Sequence, residues 1–474
     1  MKLKRFLLRH FPPGLGLEYT QGTDVKMKMI DLLDLNIRSD VEAVAAALSG
    51  REPLLTAGVR AALVRSLHAL QQRLRDAANH RYLRHRTLRA HILPLTNATF
   101  ARTGERCLTG SYDRTCKLWD VADGRELRTF EGHKNVVFSV AFSNADEKHV
   151  LTGSFDKTAR VWSADTGDCV QTLWGHTAEV VSAKFDPSNA LVATASMDNT
   201  ARVYSTASGQ ELGTLRGHTG EVVVLHFNNV GNTLLTGSFD GTLALWDTRT
   251  NQRVGVLAGH GEEISNCQFN FDCSLVASCS FDRTARVWEP RLMKSLAVVR
   301  GHEEELQDVT FDASGKRLAT CSTDCTARVW DVAADCRPVA VMEGHRDEVC
   351  KVCFSPGGWQ LLTASQDHTA RLWTVETGAC VQVLEGHQDD LFFCGFSYSG
   401  DVLLTASKDN TCRVWRRDDH DGGLARHVGI LGGGVAADAG DAAAVGAPLR
   451  RPLGPEDDGM GLVDLVRAED DDAV

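Results

Sequence analysis

The stretch GHKNVVFSVAFSNADEKHVLTGSFDKTARVW, residues 132–162, decides how the chain is read, because near-copies of it recur along most of the sequence. Its skeleton is a Gly-His pair, an apolar run ending in Phe142, a Ser154-x-Asp156 and an aromatic six residues after the Asp. The pairs Asp113/Trp119, Asp156/Trp162, Asp198/Tyr204, Asp240/Trp246, Asp282/Trp288, Asp324/Trp330, Asp367/Trp373 and Asp409/Trp415 follow one another at 42 or 43 residues. Self-similarity at such a period marks a repeat architecture, in which each unit completes its core against its neighbours.

Seven Gly-His pairs place His133, His176, His218, His260, His302, His345 and His387 in register. His91, with Ala90 where the others have Gly, stands 42 residues before His133 and nine before Phe100, and makes the eighth. Gly-His opening and Trp closing each unit predict an all-β fold, an eight-bladed WD-repeat β-propeller. Each blade of such a ring has four antiparallel strands, and the outermost comes from the segment before the next Gly-His, so the last blade lacks one. Residues 81–89, RYLRHRTLR, precede Ala90-His91 as GACVQVLE precedes Gly386-His387, and they are predicted to close blade eight. A weaker candidate for that slot is LARHVGIL at 424–431. Closure hides strand edges that would otherwise invite aggregation.

The expected organisation is a small, partly helical domain over 1–80, the propeller over 81–417 and a disordered acidic tail over 418–474. In the first segment, Ser39-Asp40 can cap VEAVAAAL. Leu55, Val59, Leu63, Leu67, Leu70 and Leu74 then recur at three- and four-residue steps. One long helix is expected there, after a short basic stretch and a Pro12-Pro13-Gly14 break. The tail is rich in Gly, Ala and Asp without periodicity; Leu462-Val463-Asp464-Leu465-Val466 could serve as a short linear motif.

Charge narrows the partners. Residues 1–91 hold 16 Lys/Arg against 8 Asp/Glu, residues 92–417 hold 31 against 41, and the tail holds 4 against 13, within a net charge of -11. An acidic ring is a poor match for nucleic acid. No apolar run of about 18 residues exists to span a bilayer, and Arg9 and His10 cut Phe6-Leu7-Leu8 too short for a signal peptide. The fourteen cysteines fall mostly on strand positions, among them Cys267, Cys350, Cys353, Cys394 and Cys412, and read as buried hydrophobes in a reducing compartment. Cys350-x-x-Cys353 lacks a second ligand pair, so no zinc or other cofactor is expected.

Each repeat also carries Ser and Asp at fixed offsets: Ser111, Ser154, Ser196, Ser238, Ser280, Ser322, Ser365 and Ser407 stand two residues before the eight Asp. Eight equivalent Ser/His/Asp sets argue against catalysis, which needs one strained nucleophile beside one oxyanion hole. The expected role is structural, with the imidazole bridging the Ser hydroxyl and the Trp indole while Asp accepts from the imidazole.

Function is sought where repeats differ. Three residues after each His stand Glu179, Glu221, Glu263, Glu305, Glu348 and Asp390, with Pro94 and Val136 in the first two repeats. Just before each turn Asp stand Tyr112, Phe155, Met197, Phe239 and Phe281, then Thr323, Gln366 and Lys408. The acidic arc reads either as a solvated loop face or as a dock for a basic partner, and the apolar arc either as packing under adjacent loops or, the favoured reading, as a protein interaction surface.

The motifs MKLKRFLLRHFPPG, Leu17-Glu18-Tyr19, IDLLDL at 30–35, LRAHILPLTN at 88–97, TGSYDRTCKLWD, GHKNVV and ASKDNTCRVW resemble those of the outer row dynein assembly proteins of cilia, the dynein assembly factors with WD repeats. The resemblance spans about residues 1–416; the tail, Tyr204 and Ala90 depart from the pattern. It implies a non-enzymatic cargo adaptor linking preassembled outer-arm dynein to an intraflagellar transport complex B subunit. The implied sites of action are the cytoplasm and the cilium or flagellum, at the basal body region and axoneme. A monomer is expected. Two readings from other classes are a ubiquitin-ligase substrate receptor, which would carry an F-box-like helical module ahead of the ring, and an RNA-processing scaffold, which would favour a basic ring.

Overall fold

The computed structural model describes residues 2–418 except 10–12, 22–23, 34, 36–38, 77–80 and 145. The tail from 419 onward, with the alternative closing segment at 424–431 and the 462–466 motif, lies outside the described residues.

The chain opens with a sheet that the helical reading of this region did not anticipate. Strands β1 (Lys2–Arg9), β2 (Gly14–Gln21) and β3 (Asp24–Asp31) form an antiparallel meander. Leu15 and Leu17 of β2 are fully buried, with Gly16 facing the other way, the two-residue period of a half-buried strand. Two helices follow instead of one. Helix α1 (Val41–Arg51) starts at Asp40, whose carboxylate accepts the Glu42 N–H at 3.0 Å. It stops at Glu52, held extended at φ -121 and ψ 107, the geometry that a following Pro53 imposes on its neighbour. Helix α2 (Arg60–Asp76) carries the apolar stripe. Leu55 ahead of it and Leu63, Leu67 and Leu70 along it pack with Leu15, Leu17, Val41 and Ala45 in a core of their own; Val59 is half-buried, and the Leu74 side chain lies outside the described ones.

Eight four-stranded sheets follow. In seven, the strands run in chain order, from Leu95–Phe100 through Glu126–Phe130 in the first to Val349–Phe354 through Cys380–Leu384 in the seventh. The eighth takes Leu391–Phe396, Val402–Ser407 and Cys412–Arg417 from the end of the ring and β4 (Tyr82–Leu88) from its beginning. Each first strand lies beside the first strand of the next sheet, and Leu391–Phe396 lies beside Leu95–Phe100, so the propeller closes. Neighbouring sheets clasp apolar layers, such as Leu108, Val137, Val150 and Trp162 between blades one and two.

β4 is fastened at its start. The Tyr82 hydroxyl donates to the Gly400 carbonyl at 2.7 Å, its N–H donates to the Gln382 side-chain oxygen at 2.8 Å, and the Gln382 amide returns a bond to the Tyr82 carbonyl at 2.6 Å. The ring of Tyr82 meets Phe396 edge-on at 6.3 Å. One buried aromatic therefore ties the closing strand to blades seven and eight at once. Tyr82→Ala is expected to cost about 3 kcal/mol, read as a lower urea midpoint. A midpoint equal to that of the parent protein would show that closure does not depend on this anchor.

Candidate functional site

The repeated polar residues build one network in every blade, but not the one expected. Each His Nδ1 meets its Asp Oδ2 at 2.7 Å in blade one (His91/Asp113) to 2.9 Å in blade eight (His387/Asp409). The pairs His133/Asp156, His176/Asp198, His218/Asp240, His260/Asp282, His302/Asp324 and His345/Asp367 fall within that range. The other imidazole nitrogen does not reach the Ser. It meets the hydroxyl two residues earlier: Thr109, Thr152, Thr194, Thr236, Ser278, Thr320, Thr363 or Thr405. Trp119, Trp162, Trp246, Trp288, Trp330, Trp373 and Trp415 donate their indole N–H to that same oxygen at 2.8–2.9 Å.

The expected Ser is one turn away. Ser154 donates to the Asn135 carbonyl at 3.1 Å and accepts the Asp156 N–H at 3.1 Å, and Ser111, Ser196, Ser238, Ser280, Ser322, Ser365 and Ser407 do the same in their blades. The reason is strand alternation: residues two apart share a face, so Thr152 and Ser154 both point inward. Only the one a full strand step deeper lies level with the imidazole and indole. A hydroxyl two residues before Ser in all eight repeats was the available signal. In blade three the Tyr204 hydroxyl donates to the Trp174 carbonyl at 3.1 Å, so the phenol has a partner.

The bonds have a direction. An indole can only donate, so the Thr oxygen accepts from it and gives its own proton to His Nε2; His Nδ1–H then donates to the carboxylate. The carboxylate also takes the Thr158 N–H at 3.0 Å and its hydroxyl at 2.6 Å in blade two. Burial alone would raise the pKa of these Asp groups, but the His and Thr bonds outweigh it. Asp113 and Asp240 are lowered to about 2, and the other six also fall below the usual carboxylate range.

Above this brace, the two arcs form a single feature. In every blade the residue before the turn Asp donates its N–H to the carbonyl of the residue three after the His, at 2.9–3.0 Å. The resulting pairs are Tyr112/Pro94, Phe155/Val136, Met197/Glu179, Phe239/Glu221, Phe281/Glu263, Thr323/Glu305, Gln366/Glu348 and Lys408/Asp390. Blades one and two are thus apolar, three to five apolar and acidic, six to eight polar and acidic. Not all of it is free. Gln366 bonds Glu348 at 2.7 Å and Lys408 pairs with Asp390 at 2.8 Å, whereas Glu179, Glu221, Glu263 and Glu305 have no ion pair among the described residues.

The apolar members also divide. Tyr112 and Met197 are exposed, while Phe155, Phe239 and Phe281 are half-buried. Phe155 stacks on Phe138 at 5.1 Å, and Phe239 tilts against Phe281 at 6.4 Å. Ile92 and Leu93, which sequence patterning did not single out, add the most exposed apolar surface beside Tyr112, at 79% and 45%. Inside the ring lies a cavity of about 890 Å³ reached past Leu93, Tyr112, Phe138, Phe392 and Phe393. Among the described residues one group suited to a metal ion, His368, Asp389 and Asp390, comes together on the surface, where Lys408 already neutralises Asp390.

Two outcomes follow from the brace. Thr152→Val leaves the His133 Nε2 and the Trp162 indole N–H without a partner and is expected to cost about 3 kcal/mol, whereas Thr194→Val leaves the Tyr204 hydroxyl on its carbonyl and should cost about half as much; urea denaturation compares them. The Asp groups titrate lower folded than unfolded, so their contribution is complete above the unfolded carboxylate value near 4 and is lost as pH falls toward about 2. The urea midpoint should decline across that window, and Asp240→Asn should flatten the decline.

The same order of repeats appears among known proteins. A family model described as "WD domain, G-beta repeat" matches residues 84–120, 124–163, 167–205, 209–247, 251–289, 293–331, 336–374 and 378–416. The protein named "Dynein assembly factor with WD repeat domains 1" from Mus musculus is 51% identical over 145 residues, and that from Homo sapiens 49% identical over 144. Each match covers 30% of this chain and 35% of the relative, so the chain spans about a third of the length of the curated relatives it matches. The crystal structure of the computationally designed Ika8 protein superposes with a TM-score of 0.63 at 27% identity, over 70% of this chain and 99% of that one. With matches on all eight blades, each carrying the same hydroxyl, imidazole and carboxylate, the chain belongs to the WD domain, G-beta repeat family.

Proposed function

We propose that the chain is a non-enzymatic adaptor in the assembly of ciliary dynein, holding preassembled outer-arm dynein and a subunit of intraflagellar transport complex B for import into the cilium. The observation that carries this reading is the sector pattern around the ring mouth. The same hydroxyl, imidazole and carboxylate hold eight blades whose exposed pairs change from apolar to acidic, so the face can discriminate partners while its scaffold stays constant. The names of the relatives, dynein assembly factors, supply the cargo class. A small basic domain beside an acidic ring offers a second surface of opposite sign, and an adaptor needs two. The reading places the protein in the cytoplasm and the cilium or flagellum, at the basal body region and axoneme, as a monomer.

In this reading Ile92, Leu93 and Tyr112 contact one partner, and residues 1–80 contribute to the transport-train site. Affinity capture from ciliated cells tests it. Outer-arm dynein and transport subunits should co-purify with the parent chain. Ile92→Asp with Tyr112→Asp should reduce one of the two at least tenfold, a loss of about 1.4 kcal/mol or more, with the melting temperature unchanged. A version starting at residue 81 keeps the closing strand and should lose the transport subunit alone. Capture of a cullin scaffold in place of both partners would refute the adaptor.

A further inference from the structure

The channel walled by the eight innermost strands holds a positive charge that the fold leaves uncompensated. Three charged side chains lie on those strands: Lys184 in blade three, Asp308 in blade six and Lys351 in blade seven. Asp308 is 97% shielded and fully engaged. It takes the Lys351 ammonium at 3.0 Å, the Val352 N–H at 3.1 Å and the Asn266 side-chain amide. Lys184 has no hydrogen bond or ion pair among the described residues. It faces the same 890 Å³ cavity as Lys351, which Thr96, Asn97 and Thr99 of blade one also line.

Lys184 is exposed to solvent within the channel; the strands around it, and secondarily the charge of Lys351, hold its ammonium below the usual lysine range. His226, at the same strand position one blade on, is pushed down to about 4 by burial and then by Lys184, so it adds no charge near neutral pH. Two ammonium groups thus face one cavity, with the single carboxylate of Asp308 beside Lys351, and an anion between them would neutralise the remaining charge.

We propose that this cavity binds a small multivalent oxyanion of the phosphate class, held by Lys184 and Lys351 with the Asn97 side-chain amide as a further donor. This assignment is independent of the adaptor reading, since it concerns the channel and not the partner face.

Calorimetric titration of the full chain with inorganic pyrophosphate at low ionic strength tests it, with citrate as the carboxylate arm. One saturable site per chain is expected for pyrophosphate, weakening as salt rises. Lys184→Gln should lower the affinity about tenfold or more, and Lys148→Gln, a change at an exposed surface lysine, should leave it unchanged. Because Lys184→Gln removes an uncompensated charge, its melting temperature without ligand should equal or exceed that of the parent, so lost binding cannot be blamed on unfolding. Absence of saturable binding by the parent chain, parent-like binding by Lys184→Gln, or preference for citrate over pyrophosphate would overturn the proposal.

Discussion

One buried hydroxyl per blade, bound to an imidazole and in seven blades also to an indole N–H, is the interaction on which the rest of the structure depends. Because the ionised Asp can only accept, the ring N–H at Nδ1 points to it, and the other nitrogen of the neutral imidazole takes the hydroxyl proton. The Asp in turn binds two backbone N–H groups, such as those of Lys134 and Thr158 in blade two. Those bonds hold the loop entering the innermost strand against the tight turn. The residue after the Asp then adopts a positive φ, from 62° at Asn199 to 70° at Lys157, and blade four uses Gly241 there. Core packing and loop geometry are therefore parts of one construction, repeated around the ring.

Closure is the second constraint. A chain of eight units would leave its first and last blades with raw edges. Pairing β4 with Cys412–Arg417 removes one strand's worth of that exposure and makes residues some 330 positions apart depend on each other. Tyr82 strengthens the joint by binding both blades seven and eight. The small sheet-and-helix unit over residues 2–76 ends a few residues before this joint.

Against that constant frame, differences between blades set one part of the ring face apart from another. On that face Ile92, Leu93, Tyr112 and Met197 expose apolar surface, and Glu179, Glu221, Glu263 and Glu305 have no ion pair among the described residues. Stacking of Phe155 on Phe138 and pairing of Asp390 with Lys408 withdraw parts of both arcs into local structure. Inside the ring the same logic applies. Seven blades place neutral or paired groups toward the channel at the level of Lys184, and blade three alone adds a full charge there.

How much was legible in the sequence follows from range. The eight blades, their order and the closing role of residues 81–89 could be read because each repeat records its own hydrophobic period, and a fixed offset carries the register from one copy to the next. The capping Asp40 and the stripe from Leu55 to Leu70 were legible for the same local reason, though Pro53 divides the helices. Tertiary structure alone decided that Thr152, not Ser154, meets the imidazole, since alternation puts both on one face and only depth across the blade separates them. It decided that β1 to β3 form a sheet, where two glycines and a proline break obscure the alternation. It also decided that Lys351 finds Asp308 while Lys184 finds no ion pair among the described residues, because which charges share a channel depends on ring closure, a distance no local pattern encodes.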